Sequence, residues 1–411
     1  MRNVYDVLQE RGFVEQITDE KMLRQLLDKP VSCYIGFDPT AKSLHIGSLL
    51  PIMSLAHMQR GGHRPIALVG GGTALVGDPS GKDQARPVMT KEEINSNAEG
   101  IKAQLSNFID FSNEKALMLN NADWLAPLNY IDFLRDIGRH FSVNRMLAAE
   151  SYRQRLETGL SFLEFNYMLL QAYDFWYLSK NYNCQLQMGG NDQWGNILAG
   201  ADLTRRLEGY IIQGLTFPLI TTADGSKMGK TQSGAVWLDH ELTSPYEYYQ
   251  YWINIDDRDV KRFLSHFTFL PMDEIERLTF KGGEHLREAK NILAYEATKI
   301  CHGKEEADKA KNTSMQLFSK KVVDDFNGAP SYQMTHGELD KGIEAYILLT
   351  NSGLCKTRGE ARRLISQGGA YINGKRVTTF DTIVGADNLK DNAILLRAGK
   401  KKYCIVNIQD A

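Results

Sequence analysis

Short apolar runs recur through the first half of the chain, at 31–37, 65–69, 115–119 and 184–188, each closed by Gly, Asn or Pro. Runs of that length read as buried strands. Between them apolar residues recur at helical spacing over 46–59, 91–111, 131–149 and 163–178. Strands alternating with helices predict an α/β fold of doubly wound, Rossmann-like type, built on a parallel sheet. Within 46–59, Ile46, Leu49, Leu50 and Met53 share one face. Pro51 fits there if the helix begins near Gly47, because the first backbone N–H groups of a helix have no intrahelical partner.

From about residue 244 the pattern becomes mostly helical and aromatic, with Tyr246, Tyr248, Tyr249, Tyr251 and Trp252 close together. A polar stretch punctuated by Gly328, Pro330 and Gly337 predicts a linker. The last 70 or so residues carry a short helical pattern and then Tyr371-Ile-Asn-Gly374-Lys-Arg-Val, where Asn373-Gly374 signals a hairpin. The expected organisation is a sheet domain over 1–222, a helical domain over 223–321, a linker over 322–340 and a small α+β domain over 341–411.

Composition narrows the class. The chain has 411 residues, enough for two or three domains, with ordinary apolar and charged fractions. Its first residues are polar, so no secretory signal is expected, and no apolar run approaches the roughly 20 residues of a membrane span. Five scattered cysteines without metal-type spacing fit a reducing cytoplasmic setting and argue against a structural zinc. The net charge of −2 hides an asymmetry: residues 341–411 hold 12 Lys/Arg and 6 Asp/Glu, a surplus of +6 that leaves −8 on the rest. A basic tail on an acidic body suits contact with nucleic acid, although a solvated lysine-rich surface would give the same count.

Two segments carry the chemistry. Tyr34-Ile-Gly-Phe-Asp38-Pro-Thr40-Ala-Lys-Ser-Leu-His45-Ile-Gly47-Ser48 reads as a strand entering a glycine-punctuated turn and a helix start. Asp224-Gly-Ser-Lys227-Met-Gly-Lys230-Thr reads as a short loop with two lysines three residues apart. A helix start beside an imidazole suits a polyphosphate, and two lysines on a loop can close over it. Tyr167, Gln171 and Asp174 fall on one side of a helix, placing polar groups between apolar neighbours.

The two segments resemble the paired ATP-binding signatures of class I aminoacyl-tRNA synthetases. Together with Gly77-Asp78-Pro-Ser-Gly-Lys82-Asp-Gln-Ala-Arg86, Tyr167-Met-Leu-Leu-Gln171-Ala-Tyr173-Asp174 and Gln187-Met-Gly-Gly190-Asn-Asp192-Gln193-Trp-Gly-Asn196, they resemble bacterial tyrosyl-tRNA synthetases along essentially the whole chain. The resemblance implies activation of tyrosine by ATP with release of pyrophosphate, then transfer of tyrosine to the 3′ end of its tRNA. It implies that Thr40, His45, Lys82, Arg86, Lys227 and Lys230 surround the phosphates in the transition state. Tyr34 and Asp174 would meet the phenolic hydroxyl; tyrosyl-tRNA synthetases are themselves the standard instance of reading a hydroxyl that phenylalanine lacks. Asp78, Tyr167 and Gln171 would hold the substrate ammonium. Gly36, Asp38, Gly47, Ser48, Gly190, Asp192, Gln193 and Lys230 would line the ATP side.

No dedicated metal cage is expected, magnesium arriving with ATP as substrate. The implied partners are tRNA(Tyr), tyrosine, ATP and a second copy of the chain, without a membrane, in the cytoplasm. Soft support for the dimer lies at 124–147, in Trp124, Phe133 and Phe141, which could equally be core. The tail resembles a small RNA-binding fold shared with a ribosomal protein, with Lys356, Arg358, Arg362 and Arg363 opening a basic helix.

The chain departs from that pattern at three places. Ser48 stands where a second histidine is common, Ile35 where a cysteine is common, and Gly229 where the lysine signature has serine. The first two thin the expected ribose contacts, while the lysine pair persists. Rival readings are a tryptophanyl-tRNA synthetase, a small-molecule nucleotidyltransferase and an RNA-binding protein with a decayed synthetase core. Tyr34 with Asp174, the basic tail and the intact set of charged residues favour the tyrosine reading.

Overall fold

The computed structural model describes residues 2–80, 89–231, 234–280, 282–283, 285–318, 330–390, 393–399 and 402–409. Residues 1–243 with 251–303 make one compact unit, and 244–250 with 304–411 a second.

The first unit is built on six strands: β1 (Gln16–Ile17), β2 (Ser32–Phe37), β3 (Arg64–Val69), β4 (Leu117–Asn120), β5 (Cys184–Gly190) and β6 (Gln213–Phe217). They lie in the order β1-β6-β5-β2-β3-β4. All neighbours from β6 to β4 are parallel, and β1 closes the edge antiparallel to β6. Cys33, Tyr34, Ile66, Leu186 and Leu215 are buried, as strands covered by helices on both faces require. From β2 the chain steps outward to β3 and β4, then returns with β5 on the other side of β2. The direction of winding therefore reverses between β2 and β5, and ligands bind outside the carboxyl ends of strands at such a point.

The four strands expected from apolar runs are all present. β6 escaped that pattern because Gln213, Gly214 and Thr216 leave only Leu215 and Phe217 as large apolar residues. The helical readings needed more revision. The stretch at 131–149 breaks into Tyr130–Asp136, a tight turn at Gly138–His140 and Val143–Leu147. The stretch at 91–111 stops at Leu105, and that at 163–178 is Phe162–Phe165 followed by Tyr167–Tyr182. After a one-turn 3₁₀ segment at Ile46–Ser48, the helix Leu49–Arg60 puts Pro51 at its third position, where the missing N–H costs nothing.

Residues 251–303 pack with the sheet rather than apart from it, so the boundary expected at 222/223 is not a break between compact units. Trp252 is fully buried there, its ring 6.0 Å from Phe263 and 5.2 Å from Phe267.

The second unit contains a five-stranded sheet in the order Lys375–Arg376, Ala370–Ile372, Ala393–Ala398, Lys402–Gln409, Ser331–Thr335. The last pair is parallel, with Ser331 opposite Ile405. Residues 331–340, expected to belong to a linker, are thus a strand and the short helix His336–Asp340 of this unit. Residues 322–329 of that linker lie outside the described residues. The hairpin at Asn373-Gly374 is present, and both turn residues have positive φ (48° and 79°), as the tightest two-residue hairpin turn demands. The basic helix is Arg358–Ser366, capped by the Thr357 hydroxyl accepting from the Glu360 N–H. Arg362 lies 4.1 Å above the Tyr346 ring.

Candidate active site

The switch between β2 and β5 brings the first signature, the glycine strand end and the helix Tyr167–Tyr182 together. Tyr34 on β2 is opposite Gln187 on β5, so their side chains leave the sheet on the same face. Both are buried, at 1 % and 2 % exposure. The Tyr34 hydroxyl and the Gln187 Oε1 have no hydrogen-bond partner among the described residues. Orphaned buried polar atoms are costly, and two on one face of the central strands mark a place built for a polar ligand.

Asp174 closes this pocket from the helix. It is 2 % exposed, its Oδ1 accepting from the Trp124 indole at 2.7 Å and its Oδ2 from the Asn121 amide at 2.9 Å. Burial pushes its pKa up to about 7, against the lowering effect of those two donors, and nearby Asp38 adds to the rise. Asn121 is itself held on three sides: its amide also donates to Thr73 Oγ1 at 3.0 Å, and its Oδ1 accepts from the Gly72 N–H at 2.7 Å. The Tyr34 phenol is pushed well above its ordinary pKa, first by burial and then by Asp174, so it stays a neutral hydroxyl.

A second polar chain borders the first. The Gln193 amide donates to Asp78 at 2.8 Å, while Asn196 donates to Gln193 Oε1 at 3.1 Å and to Gln171 Oε1 at 3.0 Å. Tyr167 donates to Asp38 at 3.2 Å, and Thr73 reaches the same carboxylate at 3.2 Å. Thus Asp78, Gln171 and Gln193 form one network, and Tyr167 and Asp38 another. A Cβ on Gly36 would meet nothing within 4 Å, which leaves open space over the end of β2.

The two signature segments are in contact. His45 Nδ1 accepts from the Gly47 N–H at 2.9 Å and caps the turn that opens the helix Leu49–Arg60. The lysine loop runs beside it: Ile46 N–H donates to Val236 O at 3.0 Å and Val236 N–H to Gly229 O at 3.2 Å. Gly229 has φ of 94°, and a Cβ built there would lie 3.2 Å from both the Gly47 nitrogen and His45 Nδ1. Glycine at this position is therefore a fit to the first signature.

Lys227 is exposed at the loop's tip, Thr40 is exposed, and Ser48 is half-buried. Gly190 ends β5, with Asp192 exposed just after it. Ile35 is buried at 3 %. Lys82 and Arg86 lie outside the described residues, as does the side chain of Lys230. Among the described residues no group of three or more His, Cys, Asp or Glu could hold a metal ion.

Comparison with known proteins decides the lineage. Residues 26–319 match the family described as "tRNA synthetases class I (W and Y)". Residues 321–406 match "Tyrosine--tRNA ligase SYY-like C-terminal domain". The chain belongs to the tyrosine–tRNA ligases, within the class I aminoacyl-tRNA synthetases. It is 57 % identical over 426 aligned positions to the tyrosine–tRNA ligase of Syntrophus aciditrophicus, covering 100 % of both chains. To that of Clostridium tetani it is 53 % identical over 402 positions, covering 98 % of each. Among solved structures, a C-terminally truncated mitochondrial tyrosyl-tRNA synthetase from Aspergillus nidulans superposes with a TM-score of 0.70 at 33 % identity, over 77 % of this chain and 95 % of that one. The family uses ATP as a substrate.

Sequence reading missed five residues of this site: Thr73, Asn121, Trp124, Gln187 and Asn196. Gln187 and Asn196 bound a recognised motif, and Asn120-Asn121 sits at a strand's carboxyl end, where a polar pair is a signal for a ligand site.

Proposed function

We propose that this chain activates tyrosine with ATP, releasing pyrophosphate, and then transfers tyrosine to the 3′ end of its tRNA. The observation that carries the reading is the buried Tyr34 hydroxyl beside Asp174, a hydroxyl with no hydrogen-bond partner among the described residues. A substrate phenol inserted there donates its proton to the carboxylate and accepts from Tyr34, pairing groups that are otherwise costly to bury. Asp78, Gln171 and Tyr167 take the ammonium, one anion with two dipoles around one cation. The substrate carboxylate then attacks the α-phosphorus of ATP, and the bond to the pyrophosphate oxygen breaks. The enzyme supplies no covalent nucleophile; positioning and charge stabilisation suffice.

In this reading the His45 turn and Thr40 meet the far phosphates, and Lys82, Arg86, Lys227 and Lys230 gather around the departing pyrophosphate. Gly36, Gly47, Ser48, Gly190, Asp192, Gln193 and Asp38 border the nucleotide. Magnesium enters on the nucleotide's phosphates. Exchange of labelled pyrophosphate into ATP tests the assignment: it is expected with tyrosine and near background with tryptophan. Absence of exchange with tyrosine would overturn it.

A second copy of the chain completes the proposal. Tyr130, Ile131, Val143, Phe162 and Leu163 are 47–69 % exposed and fall within one stretch of sequence, a density of large apolar side chains suited to a subunit interface. Trp124 and Phe133, first considered for this role, are instead buried core at 6 % and 8 %, and Phe141 is half-buried. The second unit, with Arg358, Arg362 and Arg363 on its basic helix, is assigned to tRNA, and the site of action to the cytoplasm. Among the described residues no helix is long and apolar enough to cross a membrane. Ending the chain before Ser331, which removes the whole five-stranded sheet, is expected to leave tyrosine-dependent exchange within about twofold while lowering tRNA charging about tenfold or more. Equal losses in both assays would refute the division of labour.

A further inference from the structure

A cavity of about 260 Å³ opens at the far end of the helix Leu49–Arg60, lined by Arg2, Arg11, His57, Arg60 and Phe269 among others. His57 and Arg60 lie eight and eleven residues beyond Leu49, about 12 and 17 Å along the helix at 1.5 Å per residue. The cavity is therefore distinct from the catalytic pocket.

Its charges do not balance. Arg2 pairs with Glu10. Arg11 and Arg60 have no carboxylate partner among the described residues. Arg11 is only 7 % exposed, and its guanidinium is anchored by the carbonyls of Ser265 and Thr268, both at 2.9 Å, and of Leu270. Those three bonds use three of its five N–H groups and none of its charge. Arg60 is stacked 4.3 Å from the Phe269 ring, which fixes its position without neutralising it. Burial lowers the Arg11 pKa, Glu10 opposes that shift, and Arg60 and Arg2 add smaller lowering effects. Three guanidiniums against one carboxylate leave a surplus of two positive charges around a partly enclosed space.

His57 borders the cavity with a polar atom left unsatisfied. It is 5 % exposed, and its Nε2 has no hydrogen-bond partner among the described residues. Phe13 and Phe269 hold the ring edge-on at 5.4 and 5.1 Å. Burial, with Arg11 and Arg60 nearby, lowers its pKa to about 3, so the ring is neutral at physiological pH and offers one N–H without adding charge. Satisfied core histidines have a partner, and solvated arginines are not 7 % exposed. Carbonyl anchoring accounts for the burial of Arg11, and Arg2 and Arg60 are exposed, but His57 Nε2 keeps no hydrogen-bond partner among the described residues.

We propose that this cavity binds a small phosphate-bearing anion, held by the guanidiniums of Arg2, Arg11 and Arg60 and by the His57 ring. Guanidinium forks match tetrahedral oxyanions, and the volume admits a phosphate with a small substituent. The site would take inorganic phosphate, pyrophosphate or a small phosphate monoester such as glycerol phosphate by the same chemistry.

The test is a titration of the full-length protein with each of these three anions, read on the imidazole nuclear-magnetic-resonance signals of His57. Saturable movement of those signals is expected with at least one anion, and the strongest binder identifies the source. Arg60→Gln and Arg2→Gln should each weaken that binding about tenfold or more, as loss of a charge-assisted contact does. Both keep the carbonyl anchoring of Arg11, so the fold is not at stake. The His45 signals should respond to pyrophosphate alike in wild type and Arg60→Gln, which separates this site from the catalytic one. No saturable response at His57 with any of the three, or a response that Arg60→Gln leaves unchanged, would overturn the proposal.

Discussion

Asp174→Asn is expected to lower kcat/KM for tyrosine about 10- to 100-fold, the cost of exchanging an ionised hydrogen-bond acceptor for a neutral amide. The same variant should remove a pH dependence. In the folded chain the Asp174 carboxyl is pushed up to about 7 by burial, while in the unfolded chain it titrates near 3.8. Between those values the folded state binds the extra proton, so stability from this group is greatest below about pH 4 and falls as pH rises towards about 7. That is the reverse of the usual salt-bridged aspartate, because here burial outweighs the donors Asn121 and Trp124. Denaturant midpoints of the wild type should therefore carry a negative slope over this interval that Asp174→Asn lacks. Tyrosine binding runs the other way: its phenol donates to the ionised carboxylate, so KM for tyrosine should rise as pH drops below about 7 in the wild type and stay flat in the variant.

Gly229→Ala should slow adenylate formation about tenfold or more while leaving KM for tyrosine within about twofold. An L side chain at φ of 94° costs about 1–2 kcal/mol. Its Cβ would also press at 3.2 Å on the Gly47 nitrogen and His45 Nδ1, pushing the lysine loop off the phosphate-binding turn. A factor of ten corresponds to about 1.4 kcal/mol in the barrier, within that range. Rapid-mixing measurement of adenylate formation decides it. An unchanged rate would mean that the loop acts in another conformation.

The sequence made the frame of this molecule readable and much of its wiring unreadable, for physical reasons. Buried parallel strands announce themselves as apolar runs, and the glycine- and lysine-bearing signatures have rigid spacing because backbone and phosphate geometry set it. The helix carrying Tyr167, Gln171 and Asp174 could be placed, with all three on one side, from period alone. Their partners could not: Asp174 is held by Asn121 and Trp124, 53 and 50 residues away, and Tyr167 by Asp38, 129 residues away. Such pairings follow from which strands become neighbours, which no local pattern encodes. Gly229 illustrates the same limit. In the sequence it is a departure from a signature; in the fold it is the position where the loop touches the helix start. Residues 331–340 looked like a polar linker, because a short strand paired at a sheet edge has little apolar content to reveal it.

The central claim is that the ionised form of a buried, near-neutral carboxyl reads the substrate phenol, and proton release on binding tests it most directly. Calorimetry of tyrosine binding near pH 7, in buffers of different ionisation enthalpy, should show roughly half a proton released per site, as a group with a pKa of about 7 loses its proton. Asp174→Asn should show none. Tyrosine binding without proton release in the wild type, or equal release in Asp174→Asn, would contradict the account.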